Sequence, residues 1–124
     1  MTVLLVDDSL TMRRIQRNVL EEIGVESFVE AADGVEALAA LRKNPGSFKL
    51  VLLDVNMPNK NGIETLKEVR GDSVLEEIPV IMVTSEAERS MIVEAIKSGA
   101  NDYVIKPFEA KTIREKVGRF LDLE

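Results

Sequence analysis

Short apolar runs recur along the chain at Val3–Val6, Leu50–Leu53, Val80–Val83 and Val104–Ile105, with a weaker one over Val25–Val29. Runs of this length between polar stretches predict buried strands. Between them, apolar residues fall at three- and four-residue spacing, which predicts helices. Met12, Ile15, Val19, Leu20 and Ile23 mark the first helix, with Gly24 placed to end it. Val35, Leu38 and Leu41 mark the second, stopped near Asn44-Pro45-Gly46. Ile63, Leu66 and Val69 mark the third, ending near Gly71. Met91, Ile92, Ala95 and Ile96 mark a fourth, ending at Gly99, and Ile113, Val117, Phe120 and Leu121 mark the last. Five strands alternating with five helices predict an α/β fold, with a doubly wound parallel sheet covered on both faces and right-handed crossovers.

The polar residues that end these runs sharpen the picture. "VLLVDDS" runs from a strand straight into Asp7 and Asp8. Asp54 closes the third strand, Thr84 the fourth and Lys106 the fifth. All fall at the carboxyl ends of parallel strands, the edge where open α/β sheets bind ligands. If the first and third strands are neighbours, ~4.8 Å apart, then Asp7, Asp8 and Asp54 form one cluster. Two carboxylates at ~4 Å repel by about 4 kcal/mol at an effective dielectric near 20. Lys106 supplies one neutralising charge. An oxygen-ligated divalent ion supplies the rest, and Mg²⁺ suits a few carboxylates plus a phosphoryl group. A carboxylate between such a metal and a lysine is a nucleophile for phosphoryl groups, giving an aspartyl-phosphate.

Composition narrows the donor and the setting. The 124 residues predict one domain, long enough to bury a core without disulfides, and the chain has no Cys. With Lys and Arg at 16 against Asp and Glu at 22, the net charge of −6 argues against nucleic acid as a partner. No leader-like segment and no apolar stretch approaching ~18 residues is present, so a cytoplasmic protein without membrane association is expected. There is no His, so a phosphohistidine donor must be another protein. No G-x-x-x-x-G-K-[ST] loop is present either, which argues against a nucleotide donor.

"VDDS", "LLDVNMPNKNG", "VTSEA" and "KPF" stand in the order and spacing of the response-regulator receiver domains, and the whole chain resembles that family. "TMRRIQRN", "NMPN" and "SGANDYVIKPF" make it most similar to the family's single-domain chemotaxis regulators. The resemblance implies a flavodoxin-like sheet of order 2-1-3-4-5, a single receiver domain over residues 1–124 with no output domain, and a cis Lys106-Pro107 bond. It also implies the site roles. Asp54 is the phosphoacceptor. Asp8, Asp54 and the carbonyl of Asn56 are Mg²⁺ ligands, with Asp7 acting largely through water. Lys106 binds the phosphoryl group. Thr84 and Tyr103 are the switch pair, and Asn56 and Glu86 tune hydrolysis. The implied partners are a histidine kinase, a target such as a flagellar motor switch component, and a phosphatase, with the chain itself a monomer.

The implied function is a phosphorylation-activated switch of a two-component system in chemotaxis. It is not an enzyme beyond its own phosphorylation and dephosphorylation. Two alternatives use the same residues: a phosphorelay intermediate passing phosphate to another histidine protein, and an aspartyl-nucleophile phosphohydrolase. The last would want an acid two residues after the nucleophile, where this chain has Asn56, which transfers no proton. Ser85 stands where the family usually has Ala or Gly, which would narrow access to the site. Asn61 stands where Asp is common before Gly62, and "NPGSFK" makes a roomy entry to the third strand. Arg13, Arg14 and Arg17 read as a solvated helix face, and Met91 and Ile92 as packing on a face the family uses for docking.

Overall fold

The computed structural model describes residues 2–121. The elements run β1 (Thr2–Val6), α1 (Leu10–Glu22), β2 (Ser27–Ala31), α2 (Gly34–Lys43), β3 (Phe48–Leu53), α3 (Gly62–Gly71), β4 (Val80–Thr84), α4 (Arg89–Lys97), β5 (Asp102–Ile105) and α5 (Ala110–Leu121). All strands are parallel, in the order β2-β1-β3-β4-β5, and the chain order reverses between β1 and β3.

Side chains alternate across each strand, so the sheet builds two cores. Leu4, Val6, Val51, Leu53 and Met82 face Leu38, Leu41, Leu66 and Val69 of α2 and α3. Val3, Leu5, Leu52, Ile81 and Val83 face Val19, Leu20, Ile113 and Val117 of α1 and α5. Burial on both faces is why β1, β3 and β4 read as unbroken apolar runs.

The edge strand is where the sequence reading needs correction. The apolar signal at Val25–Val29 sits two residues early, because β2 runs from Ser27 to Ala31. Val25 is buried, but in the turn that leads out of α1, while β2 itself is half solvated, with Val29 and Glu30 exposed. Gly24, at φ +96°, makes that turn in a conformation that a side chain would strain. "NPGSFK" is not roomy: Pro45–Ser47 winds into one 3₁₀ turn that delivers Phe48 directly into β3. Val35 and Ile96 carry the helical spacing yet lie on exposed faces.

In α1 the helical phase also differs from expectation. Ile15 is exposed and Gln16 takes the inward position beside Val19 and Leu20. The Gln16 amide oxygen has no hydrogen-bond partner. A buried acceptor without a donor costs about 1–3 kcal/mol. Gln16→Leu is therefore expected to stabilise the protein by about 1 kcal/mol, read as a higher urea midpoint at an unchanged slope. A lower midpoint would show that the amide is satisfied.

Candidate functional site

The site lies at the carboxyl ends of β1 and β3, where the strand order reverses. Asp7 continues β1 by donating its N–H to Ala31 O at 3.0 Å, and Asp54 continues β3 by donating to Val6 O at 3.0 Å. These bonds extend the sheet far enough to carry both acids onto its edge. Both are buried, at 1% and 6% exposure, while Asp8 is exposed. Oxygens from Asp7, Asp8 and Asp54 lie within 4.8 Å of one another.

Lys106 reaches this cluster from β5. Its N–H donates to Thr84 O at 2.8 Å, which places the residue beyond the end of β4. Its Nζ donates to Asp7 Oδ2 at 2.6 Å and to Asp54 Oδ2 at 3.0 Å. The remaining carboxylate oxygens are held by main chain: Ser9 N–H to Asp7 Oδ1 at 2.8 Å and Val55 N–H to Asp54 Oδ1 at 2.7 Å. Burial pushes the Asp7 carboxyl above its ordinary range, against the pull of Lys106 and the Ser9 N–H. Burial pulls the Lys106 ammonium down, but its bonds to Asp7 and Asp54 outweigh this and leave it raised. One ammonium thus serves two buried carboxylates, while the third, Asp8, stands exposed at the mouth. The donor set is all oxygen, is under-neutralised, and fits a small hard divalent cation.

The adjoining loops carry the other expected residues. The Thr84 side chain is fully buried, and its hydroxyl accepts the Glu86 N–H at 3.2 Å. The Tyr103 hydroxyl donates to the Glu86 carbonyl at 2.6 Å, with its ring packed against the core below α4. Burial raises the Tyr103 hydroxyl above its ordinary range, with Glu86 and Asp54 adding to the effect. Asn56 Nδ2 donates to Glu86 Oε2 at 3.4 Å. Glu86 is therefore gripped by Thr84, Tyr103 and Asn56 together, a meeting point that spacing alone does not reveal. The Lys106-Pro107 bond is cis, as the resemblance implied.

Three features around the loop that follows Asp54 were less legible. A Cβ on Gly62 would lie 1.9 Å from Asp54 O, so only glycine lets α3 begin against the strand that ends in Asp54. Asn61 caps α3 by accepting the Glu64 N–H at 2.9 Å, while Glu64 accepts the Asn61 N–H at 3.1 Å. Asn serves that cap as well as Asp would. Buried Asp33 caps α2 and accepts from Asn59 Nδ2 at 2.6 Å, which ties the β3–α3 loop to α2.

Ser85 is exposed at the start of the β4–α4 loop. Met91 and Ile92 are half-buried on α4, with Met91 against the core. Arg14 is solvated as expected, but the Arg13 side chain is only 14% exposed, and Arg17 lies over the Phe28 ring at 4.9 Å.

The chain that carries this acid cluster and its lysine matches the family model for the response regulator receiver domain over residues 3–118. The chain belongs to that family of phosphorylation-dependent signalling domains. It is 45% identical over 122 residues to chemotaxis protein CheY-3 of Vibrio cholerae, covering 98% of this chain and 92% of that one. It also superimposes on the structure of CheY4 from Vibrio cholerae with a TM-score of 0.86, at 36% identity, over 97% of this chain and 98% of the other. The Mn²⁺-bound form of response regulator Rcp1 aligns with a TM-score of 0.81 at 27% identity, over 99% of this chain and 94% of the other.

Asp7→Asn isolates the electrostatic cost of the cluster. The amide oxygen can still accept from Lys106, at the loss of the Ser9 N–H bond to the other oxygen, while the buried charge is removed. A carboxyl whose folded pKa is raised carries a penalty that is full above the folded value and vanishes below the ordinary one. The metal-free variant is therefore expected to melt higher than wild type at neutral pH, with the gain fading as pH falls into the ordinary carboxylate range. Melting curves in chelator across pH check this. A variant less stable at neutral pH would contradict it.

Proposed function

We propose that the chain is a phosphorylation-activated switch of a two-component system. It accepts a phosphoryl group on Asp54 from a phosphohistidine of a separate kinase and signals by binding a target protein. The observation that carries this reading is the Asp54 carboxylate: buried, 3.0 Å from Lys106 Nζ, and within reach of the Asp7 and Asp8 oxygens.

Asp7, Asp8, Asp54 and the Asn56 carbonyl would hold Mg²⁺, which when bound neutralises charge on the transferred oxygens. The chain's own groups do the rest. One Asp54 oxygen forms the new bond to phosphorus as the P–N bond to the donor breaks, and the electron pair stays with the imidazole. Lys106, already in place, holds a phosphoryl oxygen once Asp54 is modified. Burial of Asp54 limits the approach of water to the acyl phosphate. Asn56 and Glu86, in contact at the mouth, set how readily a hydrolytic water enters. With Asn56 two residues after Asp54 there is no adjacent acid for turnover, which favours a switch over a phosphohydrolase.

The readout runs through Glu86. Thr84 holds its N–H and Tyr103 its C=O, on either side of the same residue. A phosphoryl oxygen on Asp54 accepts from the Thr84 hydroxyl and draws it towards the site. Moving that hydroxyl frees the Glu86 N–H and shifts the anchor of Tyr103, so the face made by α4, β5 and α5 changes its population of shapes. Coupling of this kind is typically ~1–3 kcal/mol. Similarity to chemotaxis protein CheY-3 supports a role in chemotaxis; a flagellar motor switch component as target, a phosphatase as reset and a cytoplasmic monomer belong to the same proposal. No helix among the described residues is long and apolar enough to cross a membrane.

The test is labelling by a cognate kinase carrying phosphohistidine. Wild type is expected to take up one phosphoryl group, labile to hydroxylamine as an acyl phosphate. Asp54→Asn is expected to fold and take up none. Stoichiometric labelling of Asp54→Asn would overturn the assignment.

A further inference from the structure

Arg13 lies on the first full turn of α1, and its guanidinium faces the acid loop rather than solvent. Nη1 donates to the Asp7 carbonyl oxygen at 2.5 Å, and Nε donates to Glu30 Oε1 on β2 at 2.8 Å. Arg17, one turn further on, donates to the other oxygen, Glu30 Oε2, at 3.3 Å and is itself seated over Phe28. Glu30 is thus fixed from two sides and in turn fixes Arg13.

The Asp7 carbonyl belongs to the peptide that joins Asp7 to Asp8. Its orientation decides where the Asp8 carboxylate stands relative to Asp7 and Asp54. On the other side of the loop, the Ser9 N–H holds Asp7 Oδ1 at 2.8 Å. The peptide between the two acids is therefore clamped by Arg13, and the side chain before it by Ser9. A lone guanidinium this close would oppose a metal cation; the Glu30 carboxylate against Nε offsets part of that charge, so Arg13 contributes mainly geometry. The planar fork aims two separate donors, Nη1 and Nε, at the carbonyl and the carboxylate in a fixed geometry that a single ammonium nitrogen on a flexible stem does not reproduce.

We propose that Arg13 is a positioning residue for the acid loop. Braced by Glu30, it holds the Asp7–Asp8 peptide in the orientation that presents both carboxylates with Asp54, and so sets the affinity for Mg²⁺. This rests on the metal reading of the site given above. Groups that orient ligands from behind typically matter by 10–100-fold in metal affinity.

The experiment is a set of melting curves in the full chain across a Mg²⁺ titration at constant ionic strength. It uses wild type, Arg13→Lys, Arg13→Met, Glu30→Gln and Arg17→Met. Bound metal raises the melting temperature by mass action, so each titration yields an affinity whatever the variant's metal-free stability. Arg13→Lys, which keeps the charge, and Arg13→Met are each expected to need about tenfold more Mg²⁺ for the wild-type rise. Glu30→Gln is expected to shift in the same direction, and Arg17→Met to match wild type. If both Arg13 variants keep the wild-type Mg²⁺ dependence, the proposal is overturned, even if their metal-free melting falls, because the contact is then only a structural ion pair. A wild type without any Mg²⁺ dependence would instead bring down the metal reading itself.

Discussion

One ammonium group shared between two buried carboxylates is the constraint on which the site depends. Lys106 is the only cation bonded to the Asp7 and Asp54 carboxylates among the described residues, and it arrives from the far side of the sheet, across β3 and β4. A buried ion pair gains little net stability, because desolvation offsets most of the attraction. Two carboxylates on one ammonium, with a third acid at the mouth, leave a net negative charge in a low-dielectric pocket. The residual charge is what makes the pocket receptive to a divalent cation, which would in turn offset the repulsion an anionic phosphoryl group meets there. Its cost is carried by the two apolar cores that flank the sheet.

The architecture serves that placement. The order reversal between β1 and β3 opens a crevice at their carboxyl ends, and the main-chain bonds of Asp7 and Asp54 extend the strands into it. Gly62 lets α3 start against the Asp54 carbonyl, and the Asn59–Asp33 bond ties the same loop to α2. On the opposite wall, Glu86 collects Thr84, Tyr103 and Asn56 into one contact set. A change at Asp54 can therefore reach the surface through two hydrogen bonds to one residue, with no long relay of packed side chains.

Much of this was legible in the chain. Strands buried on both faces leave unbroken apolar runs, and charges placed at their ends stand out because burying them is costly. Asp7, Asp8, Asp54 and Lys106 stand out that way, and Thr84 by the hydroxyl that ends β4. The edge strand β2 was placed two residues early, since half-solvated Ser27–Ala31 carries a weaker apolar signal than Val25 just before it. The phase of α1 was misread at Ile15 and Gln16, because amphipathic spacing tolerates one polar residue on the inner face. Arg13 read as a solvated helix residue, since nothing in spacing shows that its fork bridges a carbonyl on one strand end and a carboxylate on the next strand. Such contacts depend on crossovers that bring distant segments together, and a one-dimensional pattern does not contain them.

The central claim is that Lys106 and a divalent cation compete for the same under-neutralised carboxylates. Isothermal titration of Mg²⁺ into wild type and Lys106→Met, at matched ionic strength and without phosphodonor, tests it directly. Removing the ammonium leaves Asp7, Asp8 and Asp54 with more uncompensated charge, so the account predicts tighter Mg²⁺ binding in Lys106→Met. Equal or weaker binding would contradict it and would show that Lys106 supports the metal site rather than sharing its charge.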